Sequence, residues 1–164
     1  MAGHARQQPV ELILLRQFAA RLNTPTALFD REGRLIYLNP AAERAFGVEF
    51  ASIGELSLEQ ILAITQPTDV HGAPLTADTL PVGKAIGPGQ PELGTISIHD
   101  LDGRVHRLGT TTIPVQGLGD VLYGAMSLFW ELEDPPARSD RPGFGIGQAA
   151  EEGVPARLSW LAGS

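Results

Sequence analysis

The segment YLNPAAERAFG, residues 37–47, narrows the possible folds of this chain more than any other stretch. Asn39 can accept hydrogen bonds from the free amides of a first helical turn, and Pro40 suits the first helical position because it has no N–H to satisfy. Residues 41–45 favour helix, and Gly47 can adopt the left-handed conformation that ends one. The segment therefore predicts a strand that turns at Asn39 into a short helix.

The residues on either side of this turn predict a hairpin and two further helices. Residues 26–38 contain two short apolar runs around a polar turn with a glycine, which is typical of a β-hairpin. Ser57 and Gln60 have the spacing of a capping box at the start of a helix over residues 57–65. Residues 77–87 predict another helix, capped by Asp78 or Thr79, with Pro81 near its start and Gly87 at its end.

Three strand-like segments follow, and together with the first hairpin they predict the fold class. Residues 93–99 alternate Ile96 and Ile98 with polar residues, residues 104–115 are rich in threonine, and residues 121–132 are largely apolar. The order is helix, two strands, several short helices and three strands. This order predicts an α+β domain with one antiparallel sheet and the short helices on one face.

The N-terminal residues 10–22 predict an amphipathic helix that ends before Pro25. One face collects apolar residues at spacings of three and four, namely Leu14, Leu15, Phe18, Ala19 and Leu22. Leu12 and Ile13 extend the apolar surface beyond that face. Surplus apolar surface is typical of an interface, so the sequence predicts a homodimer contact formed by Leu12, Ile13, Leu15 and Phe18. The alternative is a helix that lies back over its own sheet with Ile13 partly exposed.

The chain is expected to have three parts: a flanking helix over residues 1–23, a domain over 24–133 and a flexible tail over 134–164. The tail is rich in proline, glycine and charge, and residues 134–150 in particular predict disorder. Residues 154–161, which include Trp160, form an apolar patch whose role the sequence leaves open.

Composition excludes several classes of function. The net charge is −7, and no cluster of Lys or Arg marks a nucleic-acid surface. The chain has no cysteine, which excludes disulfides, cysteine-ligated metal centres and cysteinyl-flavin photochemistry. No segment approaches the roughly 20 apolar residues that a membrane span needs, and the N-terminus has no secretory pattern. These features predict a cytoplasmic protein without nucleic-acid or membrane partners.

The ordered set of segments resembles the PAS family of sensory and regulatory domains over about residues 24–133. ALFDREGRLIYLNPAAERAFG resembles that family's first hairpin, its strand-end asparagine and the short helix after it. PLTADTLPVGKAI resembles the segment leading into the family's long helix across the sheet, and residues 102–134 resemble its last hairpin. Glu131 stands where the family usually has the aspartate that closes the last strand. The resemblance implies a five-stranded antiparallel sheet, helices across its concave face and a ligand cavity between them.

Strand alternation and family position together predict the residues that line this cavity or fill a core in its place: Phe29, Leu38, Phe46, Leu62, Ile86, Ile96, Met126 and Leu128. Apolar periodicity does not distinguish a pocket from a filled core, so both remain open. The resemblance argues against haem, because some PAS domains bind it through a histidine on the long helix and residues 78–87 contain none. The identity of any other cofactor stays unknown.

No arrangement of residues in the sequence predicts catalysis or metal binding. His99 and His106 lie on neighbouring strands without an obvious partner carboxylate or cysteine, which favours exposed strand histidines over a metal site. The sequence therefore predicts a non-catalytic module that binds a small ligand, or a partner, and signals to another protein in trans. The alternative is a small enzyme or carrier on a similar sheet. A buried ionisable group with a perturbed pKa in the cavity would favour that alternative.

Overall fold

A five-stranded antiparallel sheet with the strand order β2-β1-β5-β4-β3 forms the scaffold. The computed structural model describes residues 7–100 and 102–133. The chain divides between residues 134 and 135, and every described residue belongs to the first unit. The strands are β1 (Thr26–Asp30), β2 (Leu35–Leu38), β3 (Glu92–His99), β4 (Val105–Gln116) and β5 (Leu122–Glu131). The predicted α+β fold with one antiparallel sheet is confirmed.

Five helices accompany the sheet: α1 (Val10–Ala19), α2 (Pro40–Phe46), α3 (Phe50–Ile53), α4 (Leu58–Thr65) and α5 (Pro81–Ile86). The structure confirms α2 with its left-handed end at Gly47, and α4 with its reciprocal capping box between Ser57 and Gln60. The one-turn helix α3 was not predicted. Within the described residues, no helix has the length and apolar character to cross a membrane.

The predicted cap of α5 is wrong. The N-cap residue is Leu80, which makes no side-chain capping bond, and Pro81 takes the first helical position. The Thr79 hydroxyl instead accepts a hydrogen bond from the Thr76 amide, at 2.7 Å, in the turn before the helix. This turn brings Ala77 so close to the helix that a Cβ on Gly83 would overlap the Ala77 carbonyl oxygen. Glycine is therefore required for the close approach of the two segments.

The two faces of the sheet bury separate apolar clusters because side chains alternate along each strand. On one face, Ala27 and Phe29 pack towards α2 to α5. On the other face, Leu28 and Ile36 pack against Leu12 of α1. A β-bulge shifts the register between β1 and β2, so that Leu38 pairs with Ala27 and Leu35 with Phe29. The bulge thereby brings Leu35 and Leu38 to the same face as Phe29.

Two predictions for α1 are wrong: which of its residues face the sheet, and where the helix ends. Leu12 and Ala19 are buried against the sheet, whereas Leu14 and Phe18, predicted for that face, are 59% and 55% exposed. The helix ends at Ala19 and not at residue 22. Leu12 and Leu15 were expected in an intermolecular interface, but they pack on the domain's own sheet. Both faces of this helix are apolar, so periodicity alone could not decide which one the sheet would bury.

Asn39 joins three segments at the point where the chain leaves the sheet. It is fully buried, and its Oδ1 accepts from the amides of Ala42, at 2.8 Å, and Thr26, at 2.9 Å. Its Nδ2 lies within 2.9–3.1 Å of the carbonyl oxygens of Ala19, Leu22 and Thr24, to which it can donate. The residue therefore caps α2 as predicted, and it also ties the end of α1 to the first strand.

The predicted boundary of the domain at residues 133 and 134 stays a prediction. The tail over 134–164, with Trp160, lies outside the described residues, as do residues 1–6 and Leu101.

Candidate ligand pocket

A cavity of about 290 Å³ lies between the sheet and helices α2 to α5. Its walls are mainly aliphatic and aromatic side chains from all five strands and these four helices. The sheet contributes the floor, with Ala27, Phe29, Leu35, Leu38, Ile96, Ile98, Leu108 and Phe129 among the apolar residues. The helices contribute the opposite wall, including Phe46, Ile53, Leu58, Ile61, Pro81 and Val82. The strand-to-helix turn at Asn39 thus sends the chain across the sheet, and α2, which begins after it, contributes Ala45 and Phe46 to this wall.

The predicted lining residues fall into three groups. Those that line the cavity are Phe29, Leu38, Phe46 and Ile96. Leu62 and Ile86 pack against the core on the same side of the sheet without lining the cavity. Met126 packs in the cluster beneath α1, and Leu128 shares its strand parity, so both belong to the opposite face.

For β5, the prediction assigned the wrong set of alternate residues to the cavity face. Ser127 and Phe129 line the cavity, whereas the predicted residues Met126 and Leu128 each stand one position before them in the sequence. A shift by one residue moves every side chain of a strand to the other face. The run of residues 125–130 is apolar on both faces except for Ser127, so alternation was not visible in the sequence.

Three hydroxyl side chains lie on the floor of the otherwise apolar cavity. Thr112 and Ser127 are buried, and their hydroxyl oxygens are 2.7 Å apart. Thr110 is only 1% exposed, and its Oγ1 has no hydrogen-bonding partner in the protein. These groups could not be recognised from the sequence, because threonine is common in β-strands whether or not its hydroxyl has a function. Only the register of β4 against β5 shows that they face the cavity.

At the rim of the cavity, His106 lies between two carboxylates. Its Nε2 is 2.8 Å from Oδ2 of Asp100, and its Nδ1 is 3.0 Å from Oε1 of Glu131. The expectation that the strand histidines lack partner carboxylates is therefore wrong for His106. The β3–β4 turn and the end of β5 bring together residues that are 6 and 25 positions away in sequence, a proximity that spacing does not reveal.

Both nitrogens of an imidazole can donate only when the ring is protonated, and carboxylates can only accept. The hydrogen bond that His106 donates to Asp100, followed by the one to Glu131, accordingly raises the pKa of His106 above its ordinary value of 6.5. The hydrogen bond with His106, followed by one from the Arg104 amide, lowers the pKa of Asp100. The contacts of His106 with Asp100 and with Glu131 form a row of three charged side chains, called the ladder below. This row connects the rim of the cavity with the end of β5.

We expect this ladder to make stability depend on pH. Because the pKa of His106 is raised on folding, its contribution is complete below about pH 6.5 and is lost as the pH rises through the folded-state pKa. Asp100, whose pKa is lowered, loses its contribution only as the pH falls through its folded-state pKa. Urea denaturation of the wild type and His106→Gln should therefore differ most in mildly acidic buffer and converge at alkaline pH.

The exposed loop residue His71 offers the control, since His71→Gln removes an imidazole without touching the ladder. A difference between wild type and His106→Gln that stays constant from mildly acidic to alkaline pH would contradict the ionic ladder. Within residues 7–100 and 102–133, no group of three or more potential ligands is arranged to hold a metal ion.

Residues 14–80 match the family model described as PAS domain. The fold is similar to that of a PAS domain of a protein from Colwellia psychrerythraea, with a TM-score of 0.52, 17% identity and coverage of 74% of this chain and 96% of the other. It is also similar to the Rhodobacter sphaeroides LOV protein, with a TM-score of 0.61, 17% identity and coverage of 76% and 69%. The described residues have the fold of a PAS domain. No curated protein matches the chain.

The PAS domain of the fruit-fly ELK potassium channel shows how far sequences diverge on this fold. It superposes with a TM-score of 0.58 at 9% identity, over 74% of this chain and 96% of the channel domain. At such identities the likeness describes the fold alone. PAS domains are sensory and regulatory modules, and the match of residues 14–80 to the family model supports a role in signalling.

Proposed function

We propose that this PAS domain is a non-catalytic sensory module that binds a small, mostly apolar ligand in its cavity. The observation that carries the proposal is the cavity of about 290 Å³ with its largely apolar lining. Engineered cavities of about 150 Å³ already bind benzene, and well-packed interiors seldom contain voids larger than a water molecule. These comparisons favour a pocket over a filled core.

Filling the cavity should abolish ligand binding and leave the fold intact. Ala27 is buried on the cavity floor, and Ala27→Ile adds three carbon atoms there without introducing a polar group. We expect wild-type protein purified from its own host to carry a ligand in native mass spectrometry, or to bind an apolar fluorescent dye that metabolites displace. Ala27→Ile should lose this binding and keep its cooperative unfolding.

The exposed residue Ala51 lies outside the cavity, so Ala51→Ile is a matched control for the added side chain. Equal dye binding by wild type and Ala27→Ile would show that the dye binds elsewhere. A wild type that carries no ligand, and from which no compound of a broad metabolite screen displaces the dye, would favour a filled core and overturn the proposal.

The alternative of a small enzyme has one feature in its favour, which is the shifted pKa of His106 at the rim. The hydrogen bonds around it support the non-catalytic proposal. Both nitrogens of His106 contact carboxylates, and the Thr112 and Ser127 hydroxyls on the floor contact each other. His106 is therefore not positioned to activate a hydroxyl of the cavity floor. The other histidine that lines the cavity, His99, makes no hydrogen bond through its Nδ1 to any of these hydroxyls.

We further propose that the domain reports its state through α1, as a homodimer and to a signalling protein in trans. The support is an apolar stripe that the domain leaves exposed on this helix, formed by Val10, Ile13, Leu14 and Phe18. The stripe replaces the predicted interface, of which only Ile13 and Phe18 are exposed. A cytoplasmic location is part of the same proposal and rests on the sequence.

A further inference from the structure

The polar groups of the cavity indicate what kind of ligand it would accept. Among the buried side-chain oxygen and nitrogen atoms of the described residues, two have no partner, and both belong to residues that line the cavity: Oγ1 of Thr110 on its floor and Nδ1 of His99. A buried hydroxyl without a hydrogen bond is costly, so native structures rarely retain one unless another group satisfies it. A ligand above Thr110 would supply that group.

Aromatic side chains line the same cavity as the unpartnered hydroxyl. Thr110 lies opposite Phe129 in the β4–β5 ladder, and both side chains line the cavity. The ring of Phe46 meets that of Phe129 edge to face, with centroids 5.5 Å apart. A flat ring in the cavity would find aromatic partners there, which prefer offset or edge-to-face contact.

The charges of the cavity argue against an ionic ligand. Among the described residues, no lysine, arginine or glutamate lines it. Its ionisable side chains are those of His99, Asp100 and His106, and the last two already bind each other. An anionic group moved onto the floor would lose its hydration without meeting a lysine or arginine, because His106 is already paired with the Asp100 carboxylate. A neutral hydroxyl or carbonyl group, by contrast, needs only a hydrogen-bonding partner, which the Thr110 hydroxyl can provide as donor or acceptor.

We propose that the ligand is a neutral aromatic compound with one hydroxyl or carbonyl group, and that this group forms a hydrogen bond with Oγ1 of Thr110. The inference rests on the proposed function, since it specifies the ligand of the same cavity. It assigns Thr110 as the residue that determines specificity, and the apolar walls as the source of most of the affinity.

Three compounds that share a naphthalene ring and differ in one substituent test this assignment: 2-naphthol, naphthalene and 2-naphthoate. Each is titrated into the full chain, and binding is followed by NMR chemical shifts. We expect the wild type to prefer 2-naphthol over naphthalene by about tenfold, the effect of one hydrogen bond to a group otherwise unpaired, and to bind 2-naphthoate most weakly. In Thr110→Val the preference for 2-naphthol should disappear, because the substitution keeps the shape and removes the hydroxyl.

Thr111→Val is the matched control, since Thr111 is the next residue of β4 and belongs to the opposite face of the sheet. It should retain the preference for 2-naphthol. Thr110→Val should also unfold at the same temperature as the wild type or at a higher one, because it removes an unsatisfied buried hydroxyl. If Thr110→Val fails to fold, Thr110→Ser, which keeps the hydroxyl, and Thr110→Ala give the same comparison.

The outcomes separate this inference from the proposed function. If none of the probes binds and Ala27→Ile behaves like the wild type, the ligand pocket itself is overturned. If the probes bind with equal affinity, or if the preference survives in Thr110→Val, the pocket stands and the assignment to Thr110 is overturned. Tightest binding of 2-naphthoate would overturn the neutral class.

Discussion

Replacing Asn39 with alanine is expected to lower the free energy of unfolding by about 3–5 kcal/mol. Loss of an N-cap alone costs about 0.5–2 kcal/mol. In this protein the same side chain also accepts from the Thr26 amide and faces the carbonyl oxygens of Ala19, Leu22 and Thr24. The alanine variant leaves several of these buried groups without partners, and each such group costs about 1–3 kcal/mol.

The two ends of the Asn39 amide can be tested separately. Asn39→Asp keeps an oxygen for the Ala42 and Thr26 amides, but it places the second oxygen of a carboxylate against carbonyl oxygens. At neutral pH we expect it to be at least as unstable as Asn39→Ala in urea denaturation. Lowering the pH should narrow the difference, because a protonated carboxyl can donate one hydrogen bond.

The control is Ser57→Ala, which removes an exposed N-cap from α4 and should cost only the cap. If Asn39→Ala costs no more than Ser57→Ala, Asn39 acts as a local cap and its contacts with α1 contribute nothing. A large loss would show instead that the asparagine holds together the end of α1, the first strand and the start of the cavity wall.

Charges placed on the exposed stripe of α1 are expected to dissociate the proposed homodimer. Leu14 and Phe18 are both more than half exposed, and the double substitution Leu14→Glu with Phe18→Glu should raise the dimer dissociation constant at least about a hundredfold. Sedimentation over a range of concentrations measures this change. Far-ultraviolet circular dichroism should remain that of the wild type, since neither side chain belongs to the domain's buried core.

Ala51→Glu introduces the same type of charge at an exposed position of α3 outside the stripe, and it should leave the assembly unchanged. A wild type that is monomeric at every concentration overturns the dimer. Deletion of α1 is a poorer test than substitution, because Leu12 covers Leu28 and Ile36 on the sheet. Removing the helix would uncover part of the core, and a loss of the dimer could then follow from unfolding.

The features that could be predicted from the sequence depend on residues close together in the chain. The cap at Asn39 with Pro40 and Gly47, and the capping box of Ser57 with Gln60, each act within one or two helical turns. The strands were equally well marked by their turns. Their order led to the α+β sheet and to the PAS resemblance, because each local signal agreed with the same fold.

The orientation of apolar faces was not predictable wherever both faces were apolar. In α1, Leu12 packs against the sheet and Phe18 is exposed. In β5, Phe129 lines the cavity and Met126 lies on the opposite face of the sheet. Which of the two apolar faces becomes buried depends on the surface that the rest of the fold presents to the helix or strand. For α1 that surface includes Asn39, whose amide can donate to the carbonyl oxygens of Ala19 and Leu22 and so fixes the end of the helix.

The sequence by itself determined the elements, their order and the turn that sends the chain across the sheet. Only the tertiary structure decided what faces the cavity, because those contacts join residues remote in the chain. His106 meets Glu131 from 25 positions away, and the Thr112 hydroxyl meets that of Ser127 from 15. Gly83 shows the same limit: helix propensity favours alanine there, but the Ala77 carbonyl occupies the space that its Cβ would need.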